Sequence, residues 1–108
     1  MNRGERRALW HYRLRGYRIV DSNVRAGRYE LDLIVRRGHT LLFVEVKQRS
    51  GGGFGGALGA VDAEKRRRVH RAAQAWLTRH PQRRGIRIGF EVAALDGKRL
   101  ERRTMALD

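Results

Sequence analysis

Cysteine is absent from the 108 residues, which excludes both a disulfide framework and a thiolate metal site. Lysine is nearly absent too: Lys47, Lys65 and Lys98 stand against a total of 25 basic residues, so arginine carries the positive charge. No apolar run approaches the roughly 20 residues that a membrane helix needs. The opening segment, Met1 to Arg7, is followed by no signal-peptide core and no small-residue cleavage site, so the expected location is the cytoplasm. Acidic residues are scarce, 11 in all, and the formal charge is +14.

What remains is enough for a packed interior. Hydrophobic residues make up 41% of the chain, which points to a globular protein and not a disordered one. The length fits one compact domain spanning 1–108. So large a positive excess on so small a surface favours a polyanionic partner, because binding displaces the cations condensed on DNA or RNA. Two plainer explanations compete. A preference for arginine can reflect genome composition, and anionic membranes also attract basic proteins. The membrane case wants a basic helix with a strongly apolar opposite face and no core of its own, which fits poorly here. Nucleic acid is the expected partner.

Helical spacing of Ala8, Leu9 and Tyr12 predicts a helix over Glu5 to Arg15, ended by Gly16 in a left-handed conformation. Tyr17-Arg18-Ile19-Val20 is a short strand candidate closed by Asp21-Ser22-Asn23. Tyr29 to Val35 and Leu41 to Lys47 alternate as strands, and the turn between them falls within Arg36 to Thr40, predicting an antiparallel hairpin. Ser50 to Gly56 is too glycine-rich for a helix or a central strand, and it lacks the Lys-Ser/Thr ending of a phosphate-binding loop. With Asp62 as N-cap, a long helix runs to about Arg79 and buries Val69, Ala72, Ala73, Trp76 and Leu77. His80-Pro81 stops it. Ile86 to Leu95 is a strand, Asp96-Gly97 a hairpin turn, and Arg99 to Thr104 a final edge strand. The order is α-β-β-β-α-β-β, an α/β fold with a mixed central sheet flanked by helices.

The hairpin carries the chemistry. Leu31, Leu33 and Val35 share one face of their strand, and Leu42, Val44 and Val46 share one face of the next. A turn with an even number of residues puts all six aliphatic side chains together. The other face then holds Ile34, Leu41 and Phe43 near the turn and Glu30, Asp32, Glu45 and Lys47 further out. An odd turn without a bulge would mix polar and apolar side chains on both faces, so the pattern selects the register that brings Asp32 beside Glu45. Carboxylates at strand spacing repel unless a proton or cation sits between them. Oxygen ligands with no Cys and no clustered His suit Mg²⁺ or Mn²⁺ better than zinc. Lys47 can orient or deprotonate a water and offset charge on a phosphate. Glu5 falls on the stripe of Ala8, Leu9 and Tyr12 and so points toward the sheet. The residues alone leave a second interpretation open, in which these charges form a solvated strand face paired with arginines and Glu5 serves the helix dipole.

A resemblance bears on that choice. Gly4-Glu5 with Ala8, Gly16-Tyr17-Arg18-Ile19, Asn23, Glu30-Leu31-Asp32-Leu33-Ile34, Phe43-Val44-Glu45-Val46-Lys47 and Lys65 together resemble the YraN-like family of small bacterial proteins. The similarity covers about Gly4 to Leu95. That family in turn looks like the Holliday junction resolvases and the PD-(D/E)xK nuclease superfamily, which implies a restriction-endonuclease-like core. By this resemblance Asp32 and Glu45 ligate the divalent metal, the Val46 carbonyl is a third ligand, Lys47 is the catalytic lysine, and Glu5 completes the site. The role of Glu30 is left open. Two positions depart from the family pattern: Tyr29, where Gly usually precedes the Glu, and Glu91, where Asp usually follows Phe. Neither is a ligand.

The expected activity is therefore a Mg²⁺- or Mn²⁺-dependent endonuclease hydrolysing DNA phosphodiesters, with branched or junction DNA as the substrate the resemblance suggests. Arg49, Lys65, Arg66 and Arg67 are the candidates for gripping the phosphate backbone, although basic runs on helices are usually solvated faces. Junction-cleaving relatives act as dimers, so the resemblance also implies a homodimer. Two rivals stand beside it. One is a catalytically inactive accessory protein that binds nucleic acid with a nuclease fold; the other is a small RNA- or ribosome-binding protein, which the absence of an aromatic-basic RNA-recognition strand disfavours.

Overall fold

The computed structural model describes residues 1–49 and 63–105. Helix α1 spans Arg3–Leu14. It starts in a capping box: the Glu5 N–H donates to Asn2 Oδ1 at 2.8 Å and the Asn2 N–H donates to Glu5 Oε1 at 3.1 Å. It ends as expected, with Gly16 at φ +88°. The Gly16 N–H donates to the Arg13 carbonyl and the Tyr17 N–H to the Tyr12 carbonyl, each at 3.0 Å, which satisfies two of the last free carbonyls.

Five strands follow around a second helix: β1 Arg18–Ala26, β2 Tyr29–Arg37, β3 Thr40–Arg49, then helix α2 Ala63–Arg79, β4 Arg87–Asp96 and β5 Arg99–Thr104. They form one sheet in the order β1-β2-β3-β4-β5. β3 and β4 run parallel, as the long crossover through α2 requires, and every other pairing is antiparallel. This is the α-β-β-β-α-β-β arrangement of a restriction-endonuclease-like core. The proposed N-cap Asp62 and the glycine-rich segment 51–56 lie outside the described residues.

The three hairpins share one construction. Their two-residue turns are Gly27-Arg28, Gly38-His39 and Gly97-Lys98. Each glycine stands at φ between +59° and +62°, where a Cβ would be strained. The third turn begins one residue later than expected, because Asp96 still pairs with Arg99 and glycine takes the first central position. The β2–β3 turn is even, as the alternation demanded.

β1 is longer than its short apolar segment predicts. Asp21, Ser22 and Asn23 do not close it; they stay in the strand. A register shift between Ile19 and Asp21 absorbs the irregularity, and Asn23 sits at φ +47°, a conformation Asn tolerates better than most residues. The strand is an edge, so polar side chains there need not enter the core.

Two cores lie on opposite faces of the sheet. Against α1, Ala8 and Tyr12 pack with Tyr17, Leu33, Val35, Leu42, Val44 and Ala93. Against α2, Val69, Ala72, Ala73 and Trp76 pack with Ile34, Leu41, Phe43, Phe90 and Val92. Phe43 stacks on Phe90 at 5.5 Å and meets Trp76 edge-on at 5.7 Å. Among the described residues no helix is long and apolar enough to cross a membrane.

One expected set divides. Leu33, Val35, Leu42 and Val44 belong to the α1 core with Val46 packed against it, whereas Leu31 lies in the α2 core. The alternation along β2 therefore breaks between Leu31 and Leu33. The β2–β3 register runs only from Arg37↔Thr40 to Leu33↔Val44, so the two strands part at Asp32.

Candidate active site

The parting of β2 and β3 builds the site. Beyond Leu33↔Val44 the Val46 N–H has no ladder partner on β2. It donates instead to Asp32 Oδ2 at 2.9 Å. A carboxylate thus stands where a backbone carbonyl would otherwise be. The N–H and C=O of one strand residue leave the backbone on the same side, so the Val46 carbonyl faces this gap as well.

Glu45 is the one charged residue buried among the described residues, at 5% exposure. It shares a face with Phe43, toward α2, and its Oε1 lies 3.0 Å from Lys65 Nζ. Asp32 and Glu45 stand within hydrogen-bonding reach of each other. Burial, then the neighbouring Glu45 charge, push the Asp32 carboxyl up to about 7; the Val46 N–H opposes the shift and the more remote Glu5 charge adds to it. A cleft of about 270 Å³ opens over the pair, lined by Tyr29, Glu30, Asp32, Glu45, Lys65, Arg68 and Val69.

Two adjacent carboxylates, one of them kept protonated by burial and by the charge of the other, are a donor set that a hard dication would relieve. Mg²⁺ commonly takes one or two protein carboxylates and completes its shell with water and substrate oxygens. Asp32, Glu45 and the Val46 carbonyl fit that demand. Among the described residues no group of three or more His, Cys, Asp or Glu side chains stands close enough to hold a metal. Glu5 does not join the pair. Its carboxylate closes the α1 capping box, and the Asn23 side-chain nitrogen, oriented to donate, lies 3.0 and 3.3 Å from its two oxygens. Glu5 reaches Asp32 by its field.

A family model described as uncharacterised protein family UPF0102 matches residues 4–95. The chain belongs to this family. A UPF0102 protein of Alkalilimnicola ehrlichii is 44% identical over 98 residues, covering 91% of this chain and 78% of the relative. One of Halorhodospira halophila is 44% identical over 93 residues, covering 86% and 74%. One of Rhizorhabdus wittichii reaches 53% over 77 residues, covering 71% and 64%.

In this UPF0102 chain the residues expected at the site are placed unevenly. Asp32 and Glu45 meet; Lys47 follows Glu45 on the same face of β3, half-buried, in register with Ala94. Glu30 is exposed at the cleft wall. Of the basic candidates, Lys65 is paired with Glu45, Arg66 is half-buried and Arg67 is exposed. The Arg49 backbone ends β3, and its side chain lies outside the described residues.

The Lys65–Glu45 pair was not foreseen, yet the sequence held its signal. Lys65, Val69, Ala72 and Trp76 recur at helical spacing, and the last three are buried. Lys65 therefore belongs to the inward stripe and not to the outer basic run. Asn23, the partner of Glu5, carried no such signal, because it is brought there by the continuation of β1.

Proposed function

We propose that this protein is a divalent-metal-dependent endonuclease acting on DNA phosphodiesters, with branched or junction DNA as its substrate class. The observation that carries this is the Asp32–Glu45 pair, set where β2 leaves β3, with Lys47 two residues on. Membership of UPF0102 and the restriction-endonuclease-like core support it.

Asp32, Glu45 and the Val46 carbonyl would hold Mg²⁺ or Mn²⁺. The metal, when bound, supplies a Lewis acid for the phosphate and a water of lowered pKa. The chain does the rest. Lys47, two residues after Glu45 on the same face of β3, would orient the attacking water and offset the negative charge that builds on the phosphate. Lys65 holds the Glu45 carboxylate in the cleft, and Arg67 and Arg68, both exposed at the same end of α2, supply positive charge for the backbone. A homodimer would place two such clefts on one branched substrate.

The alternative, a nucleic-acid-binding accessory protein without cleavage, rests on the small number of grouped carboxylates. Purified wild type and Lys47→Ala, incubated with linear, nicked, flap and four-way DNA with and without Mg²⁺ or Mn²⁺, separate the two. The wild type should cut only with metal, and Lys47→Ala should cut at least about 100-fold more slowly while binding and folding persist. No metal-dependent cutting of any substrate by the wild type would sink the enzyme.

A further inference from the structure

The outward side of α1 has no part in the cleft. Its inward stripe, Gly4, Ala8 and Tyr12, is buried on the sheet. The other side lines a groove of about 640 Å³, closed by the β4–β5 turn. Arg7 holds the two walls together, its guanidinium donating to the carbonyls of Gly97 and Lys98. Arg3, Arg6, Arg15 and Lys98 add cationic charge, and none of the lining residues is acidic. Among these charges lie two large apolar side chains turned to solvent, Trp10 at 52% exposure and Leu14 at 78%. The Arg13 guanidinium lies 5.4 Å from the centre of the Trp10 ring.

This groove and the carboxylate cleft share no lining residue, and they lie on opposite faces of the sheet, one with α1 and the other with α2. A cationic channel with an exposed aromatic ring is what an unpaired nucleic-acid strand needs: charge for the phosphates and a flat surface for a base. We infer that the α1 groove binds single-stranded nucleic acid, with Trp10 as the stacking platform and Arg3, Arg6, Arg15 and Lys98 on the phosphates. A second copy of this chain is a poor occupant of this groove, since with 11 acidic against 25 basic residues it has few acids to set against these arginines; the homodimer proposed above would pair through another face. A membrane is a poor one as well. The continuous apolar side of α1 is consumed by the core, and what faces out is concave and mostly charged.

The full chain is titrated in EDTA with an oligo(dT) of about 12 nucleotides, a length within the usual single-strand site range. Trp76 is 4% exposed, so the change in indole emission reports Trp10. The oligonucleotide should quench it, and duplex of the same length should bind more weakly. Trp10→Ala and Trp10→Phe remove the reporter ring, so their binding is followed by the anisotropy of a fluorescein-labelled oligo(dT), as for the wild type: Trp10→Ala should weaken binding at least about fivefold, with Trp10→Phe in between. Arg6→Ala should flatten the log–log salt slope by about 0.7. Circular dichroism should show all three variants folded, as the exposure of these side chains requires. Binding unchanged in Trp10→Ala, or duplex bound as tightly as single strand, overturns the inference. So does a Trp10 response to phosphatidylglycerol vesicles and not to the oligonucleotide. EDTA removes cleavage from the measurement: a chain that binds through Trp10 but never cuts DNA sinks the nuclease and keeps the groove.

Discussion

Asp32→Asn should make the metal-free protein more stable, and only above mildly acidic pH. In the folded chain this carboxyl keeps its proton up to about 7, because burial and Glu45 oppose its charge, whereas an unfolded aspartate loses it near 3.8. Between those values the native state binds more protons than the unfolded one, so stability falls as pH rises through the window and levels off above it. Three units at about 1.4 kcal/mol each set a ceiling of about 4 kcal/mol. Asparagine recovers part of this: its carbonyl oxygen can still accept from Val46 N–H, and its amide can donate to Glu45. A gain of about 2 kcal/mol is expected at pH 8, or about 8 °C in melting temperature for a domain of this size. Melts followed by circular dichroism in EDTA from pH 4 to 9 measure it. The two proteins should melt together near pH 4 and diverge toward pH 8. Parallel curves, or a less stable variant at pH 8, would refute the idea that Asp32 and Glu45 strain one another. Added Mn²⁺ should stabilise the wild type and leave Asp32→Asn unmoved.

Two other substitutions probe the supports of the site. Lys65→Ala leaves Glu45 buried without its cation, and should cost about 1–3 kcal/mol in urea unfolding at neutral pH without metal. Saturating Mn²⁺ should reduce that loss, and an equal loss with and without metal would mean that Glu45 does not face a cation site. Glu91→Ala removes the acceptor for Tyr12 Oη at 2.7 Å and for two Arg102 nitrogens at 2.8 and 3.0 Å, while Arg102 also lies over the Tyr12 ring. Breaking a half-buried pair of this kind should cost about 3 kcal/mol by the same assay, with DNA cleavage per folded molecule unchanged.

The hairpin was legible because its two constraints agree. Strict alternation fixed an even turn, Gly38 satisfied it, and the register that follows from Phe43 and Ile34 carries Asp32 to Glu45. The capping of α1 by Asn2 and its termination at Gly16 are local events, written in a few adjacent residues. What could not be read was the outcome of competition between distant parts. Asp21-Ser22-Asn23 has turn composition, but pairing with Ile34, Leu33 and their neighbours on β2 keeps it in an edge strand. Leu31 follows the alternation on paper, yet the departure of β2 from β3 at Asp32 turns it to the other core. Lys65 was hidden among four consecutive basic residues, and only its phase with Val69, Ala72 and Trp76 distinguishes it.

The departure of β2 from β3 bears on function. A regular hairpin would satisfy Val46 N–H with a backbone carbonyl and leave Asp32 beside Glu45 on the Ile34–Phe43 face, with no bond to the backbone of β3. Because the ladder stops one residue short of Asp32, the side chain is drawn into the gap, loses water, and meets Glu45 at a distance where both cannot comfortably be ionised. The same opening frees the Val46 carbonyl. Continuing the β2–β3 pairing would give Val46 N–H a backbone acceptor, release Asp32 from it and take the Val46 carbonyl out of the site. The sequence keeps the gap, with a lysine from α2 to hold one acid and a raised pKa on the other, at a standing cost in stability. A purely structural charge cluster has no need of that cost, since each acid could take its own partner from the many arginines this chain carries.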